Sequence, residues 1–171
     1  MGWQGCSSTY LYLGHVPCEP VQRHVKERNK PVAHDNLERV LQFLKEFHEA
    51  PDFDRLAAYF APGCSYQPLV PTTATFKGRQ AIADVLRKQY QTYYDCRCEI
   101  HAAAANGPFV FTERSDHVTL HKGDRKVSSR VCAVFECDGE GQIMSWREYW
   151  DTSDVARQMD MDVDHVVSAA G

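Results

Sequence analysis

The sequence lacks the features that mark several common classes of protein. No apolar run approaches the ~20 residues of a membrane-spanning helix, and no block of basic residues indicates a surface for nucleic acid. There is also no glycine-rich phosphate loop, nucleophile elbow or set of cysteines and histidines at zinc-site spacing. We therefore predict no membrane or nucleic-acid partner, no metal site and no organic cofactor.

The seven cysteines do not form a disulfide framework, because their number is odd and their spacing irregular. Cys96 and Cys98 would share one face of a strand, but no second pair of metal ligands accompanies them. Residues 9–14 are apolar but lack the basic start and the length of a signal-peptide core. We expect reduced thiols in a cytoplasmic protein.

The chain has 171 residues, of which 43% are hydrophobic, and this suits one domain with a substantial core. Residues 1–33 show no lasting periodicity, and we predict a flexible N-terminal extension there. Residues 34–161 carry the periodic segments and are predicted to form the domain. Residues 162–171 are predicted to be a frayed C-terminal tail.

The hydrophobic period changes along the domain from that of helices to that of strands. Before Thr92 it predicts helices near 35–49, 54–60 and 78–90, with a short strand at 64–68. After Thr92 it predicts strands near 94–104, 108–120, 126–137 and 142–150, and then a helix at 151–161. Strands joined by short turns are antiparallel neighbours. The pattern predicts an α+β fold, with helices on the concave side of a strongly curved, mainly antiparallel sheet.

Two charged side chains lie on the apolar face of the second long strand. Because side chains alternate along a strand, one face carries Val110, Thr112, Arg114, Asp116, Val118 and Leu120. An ordinary surface strand would place Arg114 and Asp116 opposite its apolar residues. An ordinary salt bridge is the simplest interpretation of the pair when it is taken alone.

The last strand repeats this design with one carboxylate among large apolar groups. One face carries Met144, Trp146, Glu148 and Trp150. A buried charge is costly unless it is paired, so we predict that Glu148 meets Arg114 and Asp116 in one pocket. The strand between them would present Val127, Ser129, Val131, Ala133 and Phe135 inward, and its central residues are small enough to leave a cavity.

Such a pocket suits acid and base catalysis, because desolvation and a like charge raise one carboxyl pKa while an arginine keeps the other ionised. Tyr66, on the short strand, could orient a water or a substrate oxygen, or be a buried tyrosine bonded to the backbone. The predicted substrate-binding wall comprises Trp146, Trp150, Val118, Ser129 and Val131. The two tryptophans could equally belong to the core.

Residues 111–116 and 146–151 resemble the two signature strands of the limonene-1,2-epoxide hydrolase family. The resemblance runs from about Asp35 to Met159 and includes Ser65, Tyr66 and Gln67. It implies the cone-shaped α+β fold of SnoaL-like, NTF2-like and cystatin-like proteins, and it suggests a homodimer. It also implies cofactor-free epoxide opening in one step, in which a base activates water while an acid protonates the epoxide oxygen.

By position, this resemblance makes Asp116 the general acid, Arg114 the bridge between the carboxylates, Glu148 the general base and Tyr66 a water-orienting group. Two positions depart from the family pattern. Glu148 stands where the family has aspartate, and Pro68 stands where it has a water-binding asparagine. Ser129 could replace that asparagine.

The leading hypothesis is therefore an epoxide hydrolase that acts on a small apolar epoxide of terpenoid or polyketide type. A cyclase or isomerase could use the same pocket, with Glu148 removing a proton from the substrate instead of from water, and Pro68 favours this alternative. A third possibility is a non-catalytic module that binds small molecules and has the trio as a buried ion network.

Overall fold

The computed structural model of the protein describes residues 30–49 and 51–171, with side chains from Asp35 onward. The predicted flexible extension therefore lies outside the described residues, except for residues 30–33. These belong to the first helix, α1 (Lys30–Glu49), which begins earlier than predicted. Pro31 falls in its first turn, where the missing N–H breaks no helical hydrogen bond.

The first half of the domain continues with α2 (Phe53–Leu56), a 3₁₀ turn (Ala57–Tyr59), β1 (Phe60–Gln67), β2 (Phe76–Lys77) and α3 (Arg79–Gln89). The second half contains β3 (Tyr93–Asn106), β4 (Phe109–Leu120), β5 (Lys126–Cys137), β6 (Ile143–Trp150), α4 (Thr152–Met159) and α5 (Val163–Ala170). The four long strands agree closely with the prediction. The segment predicted as a frayed tail instead forms α5. Burial of Val166, which is only 4% exposed, holds this helix against the domain. No helix in the described part of the chain is long and apolar enough to cross a membrane.

The strands of the described residues form one mixed sheet in the order β2-β1-β6-β5-β4-β3. The run from β3 to β6 is an antiparallel meander, as the short turns predicted. Strand β1 pairs in parallel with β6, so an early segment lies beside the last strand. Helix α1 packs on β3 and β4, α3 on β1, and α4 on β5. This arrangement confirms the predicted α+β class.

An aromatic layer joins α1 to the sheet. The ring of Phe43 lies 5.2 Å from those of Phe60 and Trp146, and Trp146 stacks on Tyr66 at 4.0 Å. Edge-to-face and offset rings stabilise a core beyond the area that they bury. The layer therefore fixes β1 and β6 relative to each other, next to the predicted site.

A bulge corrects one part of the predicted face of β6. Met144 was predicted to point inward, but it is 46% exposed. The pairing with β5 shifts there, since Glu136 lies opposite Ser145 and Cys137 lies opposite Ile143. A bulge inserts one residue and changes the alternation of side chains. Ile143 and Trp146 consequently both point into the core.

Candidate active site

A cavity of about 180 Å³ lies between the concave face of the sheet and the helices. Its walls are mostly apolar, and α5 contributes Val166, Ala169 and Ala170 to them. The polar groups that reach it include Arg114, Asp116, Glu148, Tyr66 and His48. An apolar cavity with a few convergent polar groups is typical of small-molecule sites.

The three charged residues predicted to meet do form one network. Arg114 lies opposite Val131 and Glu148 opposite Ala133, so two small residues of β5 separate them. The Nε of Arg114 donates to both oxygens of Asp116, at 2.9 and 3.0 Å, and its Nη2 donates to Oε1 of Glu148. Arg114 is 1% exposed. The guanidinium therefore joins two carboxylates inside the fold.

Tyr66 contacts the carboxylate predicted to be the base. Its hydroxyl donates to Oε2 of Glu148 at 2.9 Å. The parallel pairing of β1 with β6 places Tyr66 opposite Trp146, two residues from Glu148. The partner of this buried phenol is thus the side chain of Glu148, and Arg114 and Tyr66 hold one carboxylate oxygen each.

The cavity includes four of the predicted wall residues, Val118, Ser129, Val131 and Trp150. Trp146 is not among the lining residues, because Phe43 and Phe47 of α1 cover it and leave it 0% exposed. Its predicted substrate contact is corrected to a place in the core beneath Tyr66. Trp150 keeps its wall position, and its Nε1 donates to the carbonyl of Pro68 at 2.8 Å.

Ser129 lies at the acid end of the cavity. It pairs with Asp116, whereas Glu148 pairs with Ala133, four residues further along β5. At about 3.3 Å per residue, the β5 positions opposite Asp116 and opposite Glu148 are roughly 13 Å apart. Ser129 is therefore poorly placed to replace the family asparagine beside Glu148 and Tyr66.

The two carboxyl groups have opposite pKa shifts. Burial raises the pKa of Glu148, and the nearby Arg114 guanidinium offsets only part of this effect. Burial also disfavours the Asp116 carboxylate, but Arg114 and a hydrogen bond from His48 outweigh it and hold the pKa of Asp116 well below its usual range. Asp116 is thus ionised, although the resemblance assigns it the role of acid.

His48 is a site residue that we did not predict from the sequence. It is 4% exposed, and its Nε2 lies 3.3 Å from Oδ1 of Asp116. The signal was available, because His48 follows Leu44 by four residues and so extends the apolar face of α1. Helical periodicity alone would have placed an ionisable group on the buried side.

One group of described residues has the composition of a metal site. Atoms of His48, Cys98 and Asp116 that could be ligands lie within 4.8 Å of one another. However, Arg114 and His48 already neutralise Asp116. Burial raises the pKa of Cys98 to about 12, which disfavours the thiolate that a metal would bind. We assign no metal ion to this group.

Comparison with known proteins identifies epoxide hydrolases as relatives of this chain. Residues 34–160 match the family model of the limonene-1,2-epoxide hydrolase catalytic domain. Epoxide hydrolase EphG of Mycobacterium tuberculosis is 33% identical over 104 residues. That alignment covers 61% of this chain and 66% of the relative, just under two thirds of its length.

The solved structures that share the fold include the following two. An LEH-like epoxide hydrolase of M. tuberculosis superimposes with a TM-score of 0.64 at 30% identity, over 75% of this chain and 91% of that one. SalBIII, described as an epoxide hydrolase/cyclase-like enzyme in pyran ring formation in the polyether salinomycin, has a TM-score of 0.64 at 21% identity. That match covers 71% of this chain and 94% of SalBIII, and it shows the fold alone.

The curved mixed sheet, its covering helices and the polar trio in an apolar cavity define an NTF2-like protein with a small-molecule site. The family match covers well over half of the chain. The chain belongs to the limonene-1,2-epoxide hydrolase family, and the resemblance drawn from its two signature strands is confirmed.

Proposed function

We propose that the protein is a cofactor-independent epoxide hydrolase that adds water to a small apolar epoxide of terpenoid or polyketide type. The observation that carries this proposal is the Arg114 guanidinium, which joins Asp116 and Glu148 at the wall of an apolar cavity. Family membership supports epoxide opening. A volume of about 180 Å³ favours a compact substrate, since cavities of roughly 150 Å³ bind benzene.

Glu148 is proposed to be the general base. A raised pKa makes its carboxylate a stronger base towards water at neutral pH. It takes one proton from water as the water oxygen attacks an epoxide carbon. Arg114 and Tyr66 hold the two carboxylate oxygens and so fix the direction in which the base points. The epoxide C–O bond breaks, and its oxygen receives a proton from the Asp116 side of the cavity.

Gln89 is proposed to replace the family asparagine. It lines the cavity, and its side-chain amide interacts with the Tyr66 hydroxyl, an interaction that lowers the pKa of Tyr66 against the larger, opposing effect of burial. Its Nε2 also donates to the carbonyl of Ala170 at 3.0 Å. The oxygen of this amide remains as an acceptor for water beside Tyr66, whereas the side chain of Pro68 has no polar atom.

A cyclase or isomerase remains the second candidate, and Pro68 is the observation that favours it. The side chain of Pro68 has no polar atom and so offers the water site no partner. Its backbone carbonyl already accepts a hydrogen bond from Trp150. A substrate hydroxyl held against Glu148 would then attack in place of water. The same acid and base groups would serve either reaction.

Product analysis with a panel of small apolar epoxides tests the proposal. Hydrolysis gives a vicinal diol, whose mass exceeds that of the substrate by one water. A product of unchanged mass, such as a cyclic ether or a carbonyl compound, would identify a cyclase or isomerase and contradict hydrolysis. Saturable binding of these epoxides without product, for wild type as for Glu148→Gln, would identify a binding module instead.

Tyr66→Phe is expected to lower kcat by about 10- to 100-fold, because a hydrogen bond to a charged group contributes about 1.5–3 kcal/mol. The phenylalanine ring keeps the stack on Trp146, so the variant should fold, and its thermal midpoint should fall only by the several degrees that loss of one buried hydrogen bond costs. Steady-state kinetics and thermal unfolding measure the two effects. Tyr149→Phe, at an exposed tyrosine of β6, is the control and should retain wild-type kcat. Unchanged kcat in Tyr66→Phe would remove Tyr66 from the mechanism.

Two further expectations stand as proposals. The outer face of the sheet exposes large apolar side chains, and a homodimer could bury them. They are Phe111, Met144 and Tyr149. Sedimentation velocity tests the dimer, and Phe111→Glu should shift the population to monomer.

The cysteines of the described residues are free thiols, which suits residence in the cytoplasm.

A further inference from the structure

His48 connects the C-terminal end of α1 to the acid end of the cavity. Its Nδ1 lies 2.6 Å from the carbonyl of Leu44. A carbonyl can only accept, so Nδ1 carries a hydrogen. This leaves Nε2, at 3.3 Å from Oδ1 of Asp116, as the ring nitrogen that gains or loses a proton. The backbone of α1 therefore fixes the tautomer and aims the titrating nitrogen at Asp116.

The charges of the site balance only if it holds one additional proton. Arg114 contributes one positive charge, while Asp116 and Glu148 contribute two negative charges in a buried setting. An uncompensated charge there is costly. A proton on His48 makes the sum of the four groups zero.

The surrounding titratable groups do not supply this charge. The other ionisable side chains that interact with His48 or Asp116 are Tyr90, Tyr93, Cys96 and Cys98, together with Arg114 and Glu148. Burial raises the pKa of Cys98 to about 12 and lifts the pKa of both tyrosines above their usual range. Cys98 and the two tyrosines stay neutral. Each carboxylate oxygen of Glu148 accepts a hydrogen bond, from Tyr66 or from Arg114, which favours the ionised form of Glu148. His48 is therefore the position for the proton.

We propose that His48 carries the proton that the epoxide oxygen receives, and that it delivers this proton through Asp116. His48 is thus a positioning residue of the acid half, and Asp116 is the catalytic residue that touches the substrate. This inference rests on the proposed hydrolase function for its chemical step. The protonation of His48 in the free protein does not depend on that function.

The pKa directions support this arrangement. Asp116 alone is a poor store for a proton, because the Nε of Arg114 contacts both of its oxygens and its pKa is lowered. For His48, burial is the largest effect and lowers the pKa, but hydrogen bonds to Asp116 and Cys96 prevail and raise it to about 10. At neutral pH the pair is therefore an imidazolium beside a carboxylate.

The numbers of protons given and taken in this step are equal. The Nε2–H bond of His48 breaks as an O–H bond forms on Asp116, and Asp116 passes a proton to the epoxide oxygen as the C–O bond breaks. Glu148 takes one proton from the attacking water. The step leaves neutral His48 and protonated Glu148, so the total charge of the site is unchanged. Transfer of one proton from Glu148 to His48 through solvent restores the resting state.

Nuclear magnetic resonance of the histidine side chains tests the charge of His48 without substrate. The His48 ring should remain an imidazolium at pH 8 and titrate near pH 10, and Asp116→Asn should lower its pKa by several units because the anionic partner is lost. Through-bond assignment identifies the signal even if variants at His48 fail to fold. A His48 ring that is neutral at pH 7, in wild type and in Asp116→Asn alike, would overturn the proposal.

Kinetics of His48→Gln test the chemical role. Glutamine can still donate to Asp116 but carries no titratable proton, so kcat should fall by about 100-fold with KM nearly unchanged. Wild-type kcat should decline only as pH approaches 10, whereas the decline in His48→Gln should begin at lower pH. His117→Gln, at a half-exposed histidine on the other face of β4, should behave as wild type.

The outcomes separate this inference from the hydrolase proposal. If no epoxide reacts but His48 is an imidazolium that depends on Asp116, the charged pair stands and the proposed function fails. If epoxides react and His48→Gln retains the wild-type kcat and pH profile, the function stands and the role of His48 is contradicted.

Discussion

Replacement of Glu148 by glutamine is expected to lower kcat by about 10²- to 10⁴-fold, the usual contribution of a general base. Glutamine has the same shape, and its amide oxygen can accept from one of the two present donors, Arg114 or Tyr66. It cannot accept a proton from water. The loss should therefore appear in kcat, with little change in KM or in the fold.

The matched control is Glu113→Gln, which changes a glutamate on the outer face of β4 that pairs with exposed Arg130. It should retain wild-type kcat, because it lies on the side of the sheet away from the cavity. Steady-state kinetics with thermal unfolding of both variants make the comparison. Wild-type turnover by Glu148→Gln would exclude Glu148 as the base.

Arg114→Met should produce the largest loss of stability. Removing one partner from a buried ion network costs about 3–5 kcal/mol. Asp116 keeps His48 as a partner, so Glu148 is the carboxylate left without a cation. Arg130→Met removes an exposed cation from the outer face and should cost less than about 1 kcal/mol.

The deficit of Arg114→Met should depend on pH in a defined direction. Loss of the guanidinium raises the native-state pKa of Glu148 further above its unfolded value near 4.3. A carboxyl group with a raised native pKa is most favourable to folding below the unfolded pKa, and this contribution is lost as pH rises through the native value. The deficit should therefore shrink on acidification from pH 8 to pH 5. Urea unfolding of the variant and wild type at both pH values measures it, and a deficit independent of pH would contradict the buried ion network.

The polar trio could be predicted from sequence because it rests on strand alternation. With a period of two, Arg114 and Asp116 fall on the face of Val110 and Leu120, and short turns make β4, β5 and β6 neighbours. The cost of an unpaired buried charge then brings Glu148 to Arg114. These steps need only strand alternation, the pairing of consecutive strands and the cost of an unpaired buried charge.

Other features depend on such contacts and were missed. The bulge at Met144 has no local sequence signal, because it is set by how β6 pairs with β5. The role of α5 follows from the cavity that it covers, which strands distant in the sequence also line. The low pKa of Asp116 requires His48, which lies on α1 and is 68 residues earlier in the chain. The contact between His48 on the helix and Asp116 on the sheet contributes to the low pKa of Asp116, and the sequence alone does not reveal this contact.

The central claim is that Glu148 directs water itself onto the epoxide, without a covalent intermediate. A single-turnover reaction in oxygen-18 water, with enzyme in excess over epoxide, tests it most directly. Direct attack places one labelled oxygen in the diol during the first turnover and leaves the carboxyl groups of Glu148 and Asp116 unlabelled. An unlabelled diol from that turnover, with the label in either carboxyl group, would show attack by the protein and contradict the claim.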